Sequence, residues 1–192
     1  MQKIKHKVSD KVKRRTAKEI LSESFRELAE HKPIDKITIQ EIVDNCGYSP
    51  ATFYRNFKDK YDLIAWEHTR GVAEIMDRIG DSYEWKQTLI DGAKWFYKEK
   101  EYLANLFRHT SGHDSFVRYM TDINCEALTK RILLSGNRKQ LTMQEELCTR
   151  LYCLGTVNLT CEWILGIHDA TAEEIADSYL NSLPAPLHQY LI

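Results

Sequence analysis

The feature that most constrains the fold is the stretch 38–60, which predicts two short helices joined by a tight turn. Thr38 is a suitable N-cap for the first helix, and a glutamate three residues later completes a capping box. Gly47 follows the apolar residues of this helix and suits the left-handed backbone that ends many helices. Ser49 then provides a second N-cap, and Pro50 occupies the first helical position, where its missing N–H has no consequence. The pattern therefore predicts a helix-turn-helix.

The outward side chains of the second helix are polar or basic. They are Ser49, Thr52, Tyr54, Arg55 and Asn56, followed by Lys58 and Lys60. Small hydroxyls and an amide can reach base edges in a DNA major groove, whereas Tyr and Lys suit phosphate oxygens. This face indicates DNA binding. The alternative is an ordinary helical hairpin with a solvated polar face.

The rest of the chain also predicts helices, because only 8 Gly and 4 Pro occur in 192 residues and no long alternation of β-branched residues is present. The predicted helices run from Ser9 or Asp10 to before Pro33, from about 59 to Gly80, and then over 84–98, 100–109, 114–134, 143–167 and 172–183. We therefore expect an all-α protein. Residues 1–60 would form a three-helix, helix-turn-helix DNA-binding domain, and residues 61–192 a helical ligand-binding and dimerisation domain.

Charge is distributed unevenly along the chain. Residues 1–60 hold 14 lysines and arginines against 9 acidic residues, whereas the remainder holds 13 and 19. A basic N-terminal part attracts phosphate, and an acidic remainder is repelled by it. Lys13 and Arg14 fall in the first turns of the predicted first helix, where the helix dipole disfavours cations. We therefore expect them to contact a DNA backbone. A disordered basic tail is the alternative for the residues before them.

Motifs of other protein classes are absent from the sequence. No nucleophile elbow, zinc-protease, phosphate-loop or dinucleotide-binding motif occurs, so we expect no enzyme and no cofactor. Five cysteines without a C-x-x-C pair favour reduced thiols, and we expect no metal site. The N-terminus lacks the apolar core of a signal peptide, and the longest apolar run is too short to cross a bilayer comfortably. We therefore expect a cytoplasmic protein with no membrane partner.

The predicted helix 143–167 is apolar nearly all round between Leu151 and Ile167. One side of such a helix can pack within the subunit, and the other side favours a partner. We therefore predict a homodimer formed through residues 143–183. The alternative is a central core helix inside a monomer.

These residues resemble the TetR family of one-component transcriptional regulators. The resemblance covers about residues 10–64 and lies in the pattern Thr-Ile-Gln-Glu-Ile-Val, Cys-Gly-Tyr-Ser and Thr-Phe-Tyr-Arg-Asn-Phe-Lys-Asp-Lys-Tyr-Asp-Leu-Ile. Within the family, the sequence around Tyr48 and after Lys58 is similar to that of regulators of dihydroxyacetone-kinase operons. Some of those regulators act as co-activators with a protein partner.

The resemblance implies roles for individual positions. Thr38 and Gln40 would meet phosphate and a base edge, and Tyr54 and Lys60 would hold the DNA backbone. Asn56 stands where many members have histidine, so its phosphate contact is in doubt. The residues expected to approach the groove are Ser49, Pro50, Ala51 and Thr52. The methyl group of Ala51 would suit a thymine methyl group.

The family also implies a ligand pocket in the second domain. Aromatic side chains are the candidates to line it: Trp95, Phe96, Tyr102, Phe107, Phe116, Tyr119 and Trp163. An aromatic at helical spacing is also typical of a plain core. We expect a sequence-specific regulator, a repressor, that binds a double-stranded DNA operator and responds to an unknown small-molecule effector. The alternative is a regulatory co-activator that acts through a protein partner, with a weak or absent pocket.

Overall fold

The computed structural model describes residues 15–76, 84–111 and 115–192, and within them every regular element is a helix, which confirms the predicted all-α class. A short 3₁₀ turn, Ile34–Lys36, separates the first two α-helices. The α-helices are α1 (Ala17–Ala29), α2 (Ile39–Cys46), α3 (Pro50–Asn56), α4 (Lys60–Met76), α5 (Trp85–Lys98), α6 (Lys100–His109), α7 (Phe116–Ser135), α8 (Met143–Ile164), α9 (Ala172–Asn181) and α10 (Ala185–Leu191).

Helix starts are fixed by local capping. Thr38 caps α2 through a complete capping box, as predicted, and Thr171 caps α9 in the same way. The prediction that the first helix begins near Ser9 or Asp10 is wrong, since α1 begins at Ala17. Its N-cap Thr16 accepts a hydrogen bond from the Glu19 backbone N–H, and the Glu19 carboxylate accepts one from the Thr16 N–H. This pair satisfies two otherwise unpaired donors, so the helix has a defined start there.

The N-terminal helices α1, α2 and α3 enclose a small apolar core. Leu21, Phe25, Ile42 and Phe53 are fully buried in it. The same cluster of buried side chains continues without interruption into α6 through Leu103 and beyond. The helix-turn-helix therefore rests on the second half of the protein rather than being tethered to it by a linker alone.

The second half is built from two packed pairs of helices. Helix α5 packs along α9, and α7 packs along α8 and α4. Helix α10 lies across α7 and α8 and was not predicted from the sequence. Its Leu187 and Leu191 are buried in a second apolar cluster with Leu128 and Ile132. None of the helices in the described ranges is long and apolar enough to cross a membrane.

Asn105 on α6 joins the two halves through backbone groups. Its side-chain nitrogen donates to the carbonyl oxygens of Ala29 (2.8 Å) and Lys32 (2.9 Å), and its side-chain oxygen accepts from the Ile34 N–H (3.1 Å). These three groups belong to the connection between α1 and α2, which has no ladder of its own to satisfy them. The side-chain amide of Asn105 therefore fixes the chain segment that leads into α2.

Arg26 on α1 makes a second joint. Its guanidinium pairs with Glu67 of α4 (2.6 Å) and with Glu99, which lies between α5 and α6. The ring of Tyr102 lies beneath the guanidinium, with 4.2 Å between the ring centroid and the Arg26 Cζ atom. The Tyr102 hydroxyl donates a hydrogen bond to Glu67 at 2.9 Å. The side chains of the three charged residues are only 30%, 22% and 20% exposed, so these pairs are less screened than ordinary surface pairs.

Asn105→Ala should lower the free energy of unfolding by about 2 kcal/mol, because it leaves two carbonyls and one N–H without their partner. Asn181→Ala, at an exposed position in the last turn of α9, should change it by less than about 0.5 kcal/mol. Urea unfolding of both variants measures the difference. Equal losses would show that water replaces the Asn105 hydrogen bonds without penalty.

Candidate functional site

The turn between α2 and α3 has the geometry that the sequence predicts. Gly47 ends α2 in the left-handed region, at φ 72° and ψ 21°. The Tyr48 N–H then donates to the Val43 carbonyl at 2.9 Å, which closes the helix end. A side chain at position 47 would be strained by this backbone. The two helices are therefore held in a fixed relation by a short, fully hydrogen-bonded turn.

Helix α3 is anchored by its inner face and open on its outer face. Ser49 caps it by accepting from the Thr52 N–H, and Pro50 occupies the first position, as predicted. Phe53 and Phe57 point inward and are 0% and 2% exposed. Tyr54 is 60% exposed although it is a large aromatic residue. An exposed aromatic ring on a rigid helix is available for contact with a partner.

The other predicted DNA contacts lie at the start of α2 and along α3. Gln40, Ser49, Pro50 and Ala51 are exposed, and Thr52 is half-buried. Their polar groups are held by local hydrogen bonds: the Gln40 amide donates to Asp44 at 2.7 Å, and the Ser49 and Thr52 hydroxyls are 3.1 Å apart. Thr38 is exposed at the start of α2, where its hydroxyl is engaged by Glu41. We call these residues, 38, 40, 49–52 and 54, the α3 face.

Two predicted contacts are turned back into the protein. The Asn56 side-chain nitrogen donates to the Thr52 carbonyl at 2.8 Å. The Lys60 ammonium donates to the carbonyls of Ile34, Asp35 and Ile37 at 2.8–2.9 Å. Burial is the largest cause that lowers the pKa of Lys60. An ammonium with all three donors in use holds the turn before α2 in place, and no local sequence pattern indicates this role.

Lys13 and Arg14 lie outside the described residues. Within them, exposed basic side chains in the sequence next to or on α2 and α3, the border residues, are Lys36, Arg55 and Lys58. Lys36 pairs with its neighbour Asp35 at 2.9 Å. The surface next to α3 therefore carries positive charge in addition to hydrogen-bonding groups.

A cavity of about 130 Å³ lies inside the second half of the protein, between α4, α5, α7, α8 and α9. Its wall is mainly carbon. The lining from α4 and α5 includes His68, Val72, Trp95 and Phe96, and that from α8 includes Val157. Such a compact, apolar space with few polar groups is typical of a small-molecule site.

The seven aromatic residues predicted to line a pocket separate into three groups. Trp95 and Phe96 line the cavity. Phe116 and Phe107 are absent from the lining and contact each other, with ring centroids 5.4 Å apart and the rings tilted by 46°. The remaining three also lie outside the lining: Tyr102 packs against Arg26, and Tyr119 is on α7. The ring of Trp163 stacks on Tyr97, and its indole nitrogen donates to the Ala170 carbonyl.

His68 is the polar side chain of the cavity that the sequence reasoning missed. It is 5% exposed, and its ring lies against Phe116 (5.4 Å) and Phe96 (6.4 Å). Burial lowers its pKa from the usual 6.5 to about 4, while a hydrogen bond with Asn124 acts in the opposite direction. Its Nε2 has no hydrogen-bond partner in the described part of the chain. The sequence signal that could have identified it is its position four residues after the apolar Ile64, which places both residues on the inner face of α4.

The cysteines are all free thiols, and two of them meet between α7 and α8. A hydrogen bond with the Cys153 thiol, together with Arg150 at 3.9 Å, lowers the pKa of Cys125 to about 7. The same hydrogen bond and burial raise the pKa of Cys153. In the described ranges, no group of three or more metal-binding side chains is brought together.

The arrangement of α1–α4 agrees with a sequence comparison. Residues 21–65 match the family of bacterial regulatory proteins called tetR. Residues 21–65 are therefore a TetR-family domain. The match covers the helix-turn-helix and the start of α4.

Individual TetR-family relatives agree in fold. The HTH-type dhaKLM operon transcriptional activator DhaS of Lactococcus lactis is 23% identical over 96 residues, which is 47% of this chain and 51% of that protein. The chain thus spans about half the length of this curated relative. A solved structure of the dihydroxyacetone kinase operon activator DhaS superposes with a TM-score of 0.63 at 17% identity, covering 92% of this chain and 98% of that one.

A second solved structure is similar to the same extent. Thermus thermophilus FadR, a TetR-family repressor in complex with lauroyl-CoA, superposes with a TM-score of 0.63 at 15% identity, covering 91% of this chain and 95% of that one. At these identities the likeness establishes the shared helical architecture of both halves.

Acid should destabilise the protein through His68. The unfolded chain takes up a proton on this residue below about pH 6.5, but the folded chain does so only below about pH 4. Stability contributed by the neutral ring is thus complete above pH 6.5 and lost as the pH falls toward 4, by about 3 kcal/mol in total. His68→Leu should lose less stability than the wild type over this window. Chemical unfolding at pH 7 and pH 4.5 measures this difference, and parallel losses in both proteins would contradict it.

Proposed function

We propose that this TetR-family regulator binds operator DNA as a homodimer through the α3 face, and that a small molecule in the cavity controls its affinity for DNA. The observation that carries the proposal is the α3 face itself. It presents exposed hydroxyl, amide and aromatic groups on a seven-residue helix whose other side is fixed by buried phenylalanines. A rigid helix with a polar outer face is suited to a major groove.

Within the α3 face we assign base reading to Gln40, Ala51 and Thr52. An exposed amide, a methyl group and a hydroxyl are the groups that distinguish base edges. We assign backbone contacts to Thr38, Tyr54 and the border lysines. Lys60 supports DNA binding indirectly, because its three carbonyl contacts position the start of α2.

The division into a DNA-binding domain of residues 1–60 and an effector domain of residues 61–192 remains our proposal. Helix α4 begins at Lys60 and reaches the cavity at His68 and Val72. Glu67, the neighbour of His68, pairs with Arg26 of α1. A ligand that contacts α4 therefore acts on the helix that positions α1. It changes DNA affinity only if it binds two arrangements of this joint with different affinity.

The dimer proposal rests on an unpaired apolar stripe on α8. Met143, Leu147, Leu151 and Leu154 recur at helical spacing and are 38–69% exposed. Leu134 at the end of α7 is 67% exposed. An exposed apolar stripe of this length is typical of a protein interface. Within the proposed segment 143–183, α8 therefore supplies the apolar contact.

The outer face of α9 has a different character. It carries Glu173, Glu174, Asp177, Ser178 and Asn181, while its inner face packs on α5. Glu173 pairs with Lys94 (2.9 Å) and Asp177 pairs with Lys86 (3.2 Å) of α5, so this face is polar and offers little apolar area to bury at an interface. We therefore place the two-fold axis beside α8 rather than α9.

Gln40→Ala should reduce the preference for a selected operator over unrelated DNA by about 1–3 kcal/mol, if the amide reads a base. Gln87→Ala is a matched control, since Gln87 makes the same amide-to-carboxylate contact with Asp91 on α5 (2.8 Å) that Gln40 makes with Asp44. An operator selected from a random duplex library and titrated by gel shift gives both values. If the two variants keep the same preference, Gln40 is not a base-reading residue.

Leu151→Lys should convert the dimer into a monomer without unfolding it, because this side chain is 69% exposed within the subunit and a buried lysine at an interface lacks a partner. Ser178→Lys on the outer face of α9 should leave the dimer intact. Sedimentation of both variants and the wild type at micromolar concentration decides between the two helices. A monomeric wild type would reject the dimer altogether.

The alternative is a co-activator that works through a protein partner. The similarity to DhaS, which is named as an operon activator, supports this alternative. The two functions differ in one measurement: the co-activator would require a partner for operator binding, whereas our proposal requires none. Operator binding by the purified protein, and a reporter gene driven from that operator, separate the two and give the direction of control.

A further inference from the structure

We infer that the cavity selects a compact, uncharged, mainly apolar molecule that carries one hydroxyl group, and that His68 is the residue that recognises this hydroxyl. The inference rests on the proposed function in that it specifies the ligand of the same cavity. It does not depend on what the ligand does to DNA binding.

The size of the cavity limits the ligand. A volume of about 130 Å³ is close to that of an engineered apolar cavity of about 150 Å³ that binds benzene. The ligand is thus on the order of six to ten non-hydrogen atoms. Trp95 and Phe96 give the wall an aromatic surface on α5, which favours a ring or a short branched chain.

The lining excludes charge. No Asp, Glu, Lys or Arg is among the described residues that line the cavity. An ion moved from water into such a wall loses its hydration without a counter-charge. His68 could balance an anion only after protonation, and its burial strongly opposes that near neutral pH. A carboxylate of the same size should therefore be rejected.

Two nitrogens in the described wall are buried without a hydrogen-bond partner, His68 Nε2 and Trp85 Nε1. The Trp85 N–H is directed at the Tyr152 hydroxyl, whose pKa it lowers against the effect of burial, so His68 Nε2 is the nitrogen left for a ligand. The hydroxyls of Thr88, Thr156 and Thr160 donate to carbonyls one turn earlier in their own helices. The Tyr152 hydroxyl donates to the Tyr179 carbonyl, and the Tyr179 hydroxyl bonds to Thr160. These groups are satisfied and face the ligand mainly with carbon.

His68 differs because its Nε2 is buried and has no partner within the described residues. The ring is also engaged by Asn124, so the tautomer depends on which way that amide is turned. Nε2 is a donor in one tautomer and an acceptor in the other. A hydroxyl group satisfies either, whereas a carbonyl satisfies one only. The unpaired nitrogen therefore favours an alcohol or a phenol.

Benzyl alcohol, toluene and benzoate test the inference, since they share one ring and differ in the polar group. Calorimetric titration of the full chain at pH 7.5 should show benzyl alcohol binding about three- to tenfold more tightly than toluene, as expected for one hydrogen bond. Benzoate should not bind. Benzoate binding as tightly as benzyl alcohol, or none of the three binding at millimolar concentration, would overturn the inference.

Variants assign the preference to His68. His68→Leu should abolish the preference for benzyl alcohol over toluene while toluene still binds, and His68→Gln should keep it, because an amide can donate and accept. Phe96→Leu is the control in the wall, and it should weaken both compounds by a similar factor. Circular dichroism checks that each variant is folded. Loss of the preference in Phe96→Leu but not in His68→Leu would assign it to the wall instead.

Operator binding with and without saturating benzyl alcohol separates this inference from the proposed function. If the compound binds with the expected preference but leaves operator affinity unchanged, the ligand class stands and effector control fails. If operator affinity responds equally to benzyl alcohol and to benzoate, control by a ligand stands and the ligand class is wrong.

Discussion

The position of the helix-turn-helix depends on one partly buried group, the guanidinium of Arg26. It lies between carboxylates from α4 and from the α5–α6 junction, over the ring of Tyr102. Removing one partner from such a cluster leaves a charge that water reaches poorly, so the cluster behaves as a unit. Because α1 packs on α2 and α3, the direction of the α3 face follows the geometry of this cluster. Asn105, one helical turn after Tyr102 on α6, adds a second attachment between α6 and the connection from α1 to α2.

Helix α4 is the element that both functional regions share. Two adjacent residues point in different directions: Glu67 toward Arg26, and His68 into the cavity. A rotation of α4 by a small angle would therefore change the two environments together. Packed helices shift between discrete arrangements rather than deforming continuously. This is a physical route by which an apolar ligand far from α3 can alter the helix-turn-helix without contact with it.

The helix-turn-helix could be predicted from the sequence because its signals are local. N-caps, the glycine at position 47 and the inward phenylalanines are encoded within a few residues of where they act. The start of α1 was equally local, in the Thr16 capping box, but a run of basic residues before it was interpreted as helix. The roles of Lys60 and Asn105 could not be predicted, since their partners lie 23–26 and 71–76 residues away. For the aromatic residues, periodicity indicates which face is buried but not whether that face meets a neighbour or a void, and so Trp95 and Tyr102 looked alike.

Two glycines in the middle of helices line the cavity, Gly71 on α4 and Gly92 on α5, and a Cβ added to either would meet no other atom within 4 Å. Glycine inside a helix is less stable than alanine by about 1 kcal/mol. The empty space is therefore maintained at positions where the smallest possible change, one methyl group, would make the helix more stable and the cavity smaller. The volume of this cavity is thus set against the stability of the two helices that wall it, and alanine at position 71 or 92 would shift that balance toward the helices.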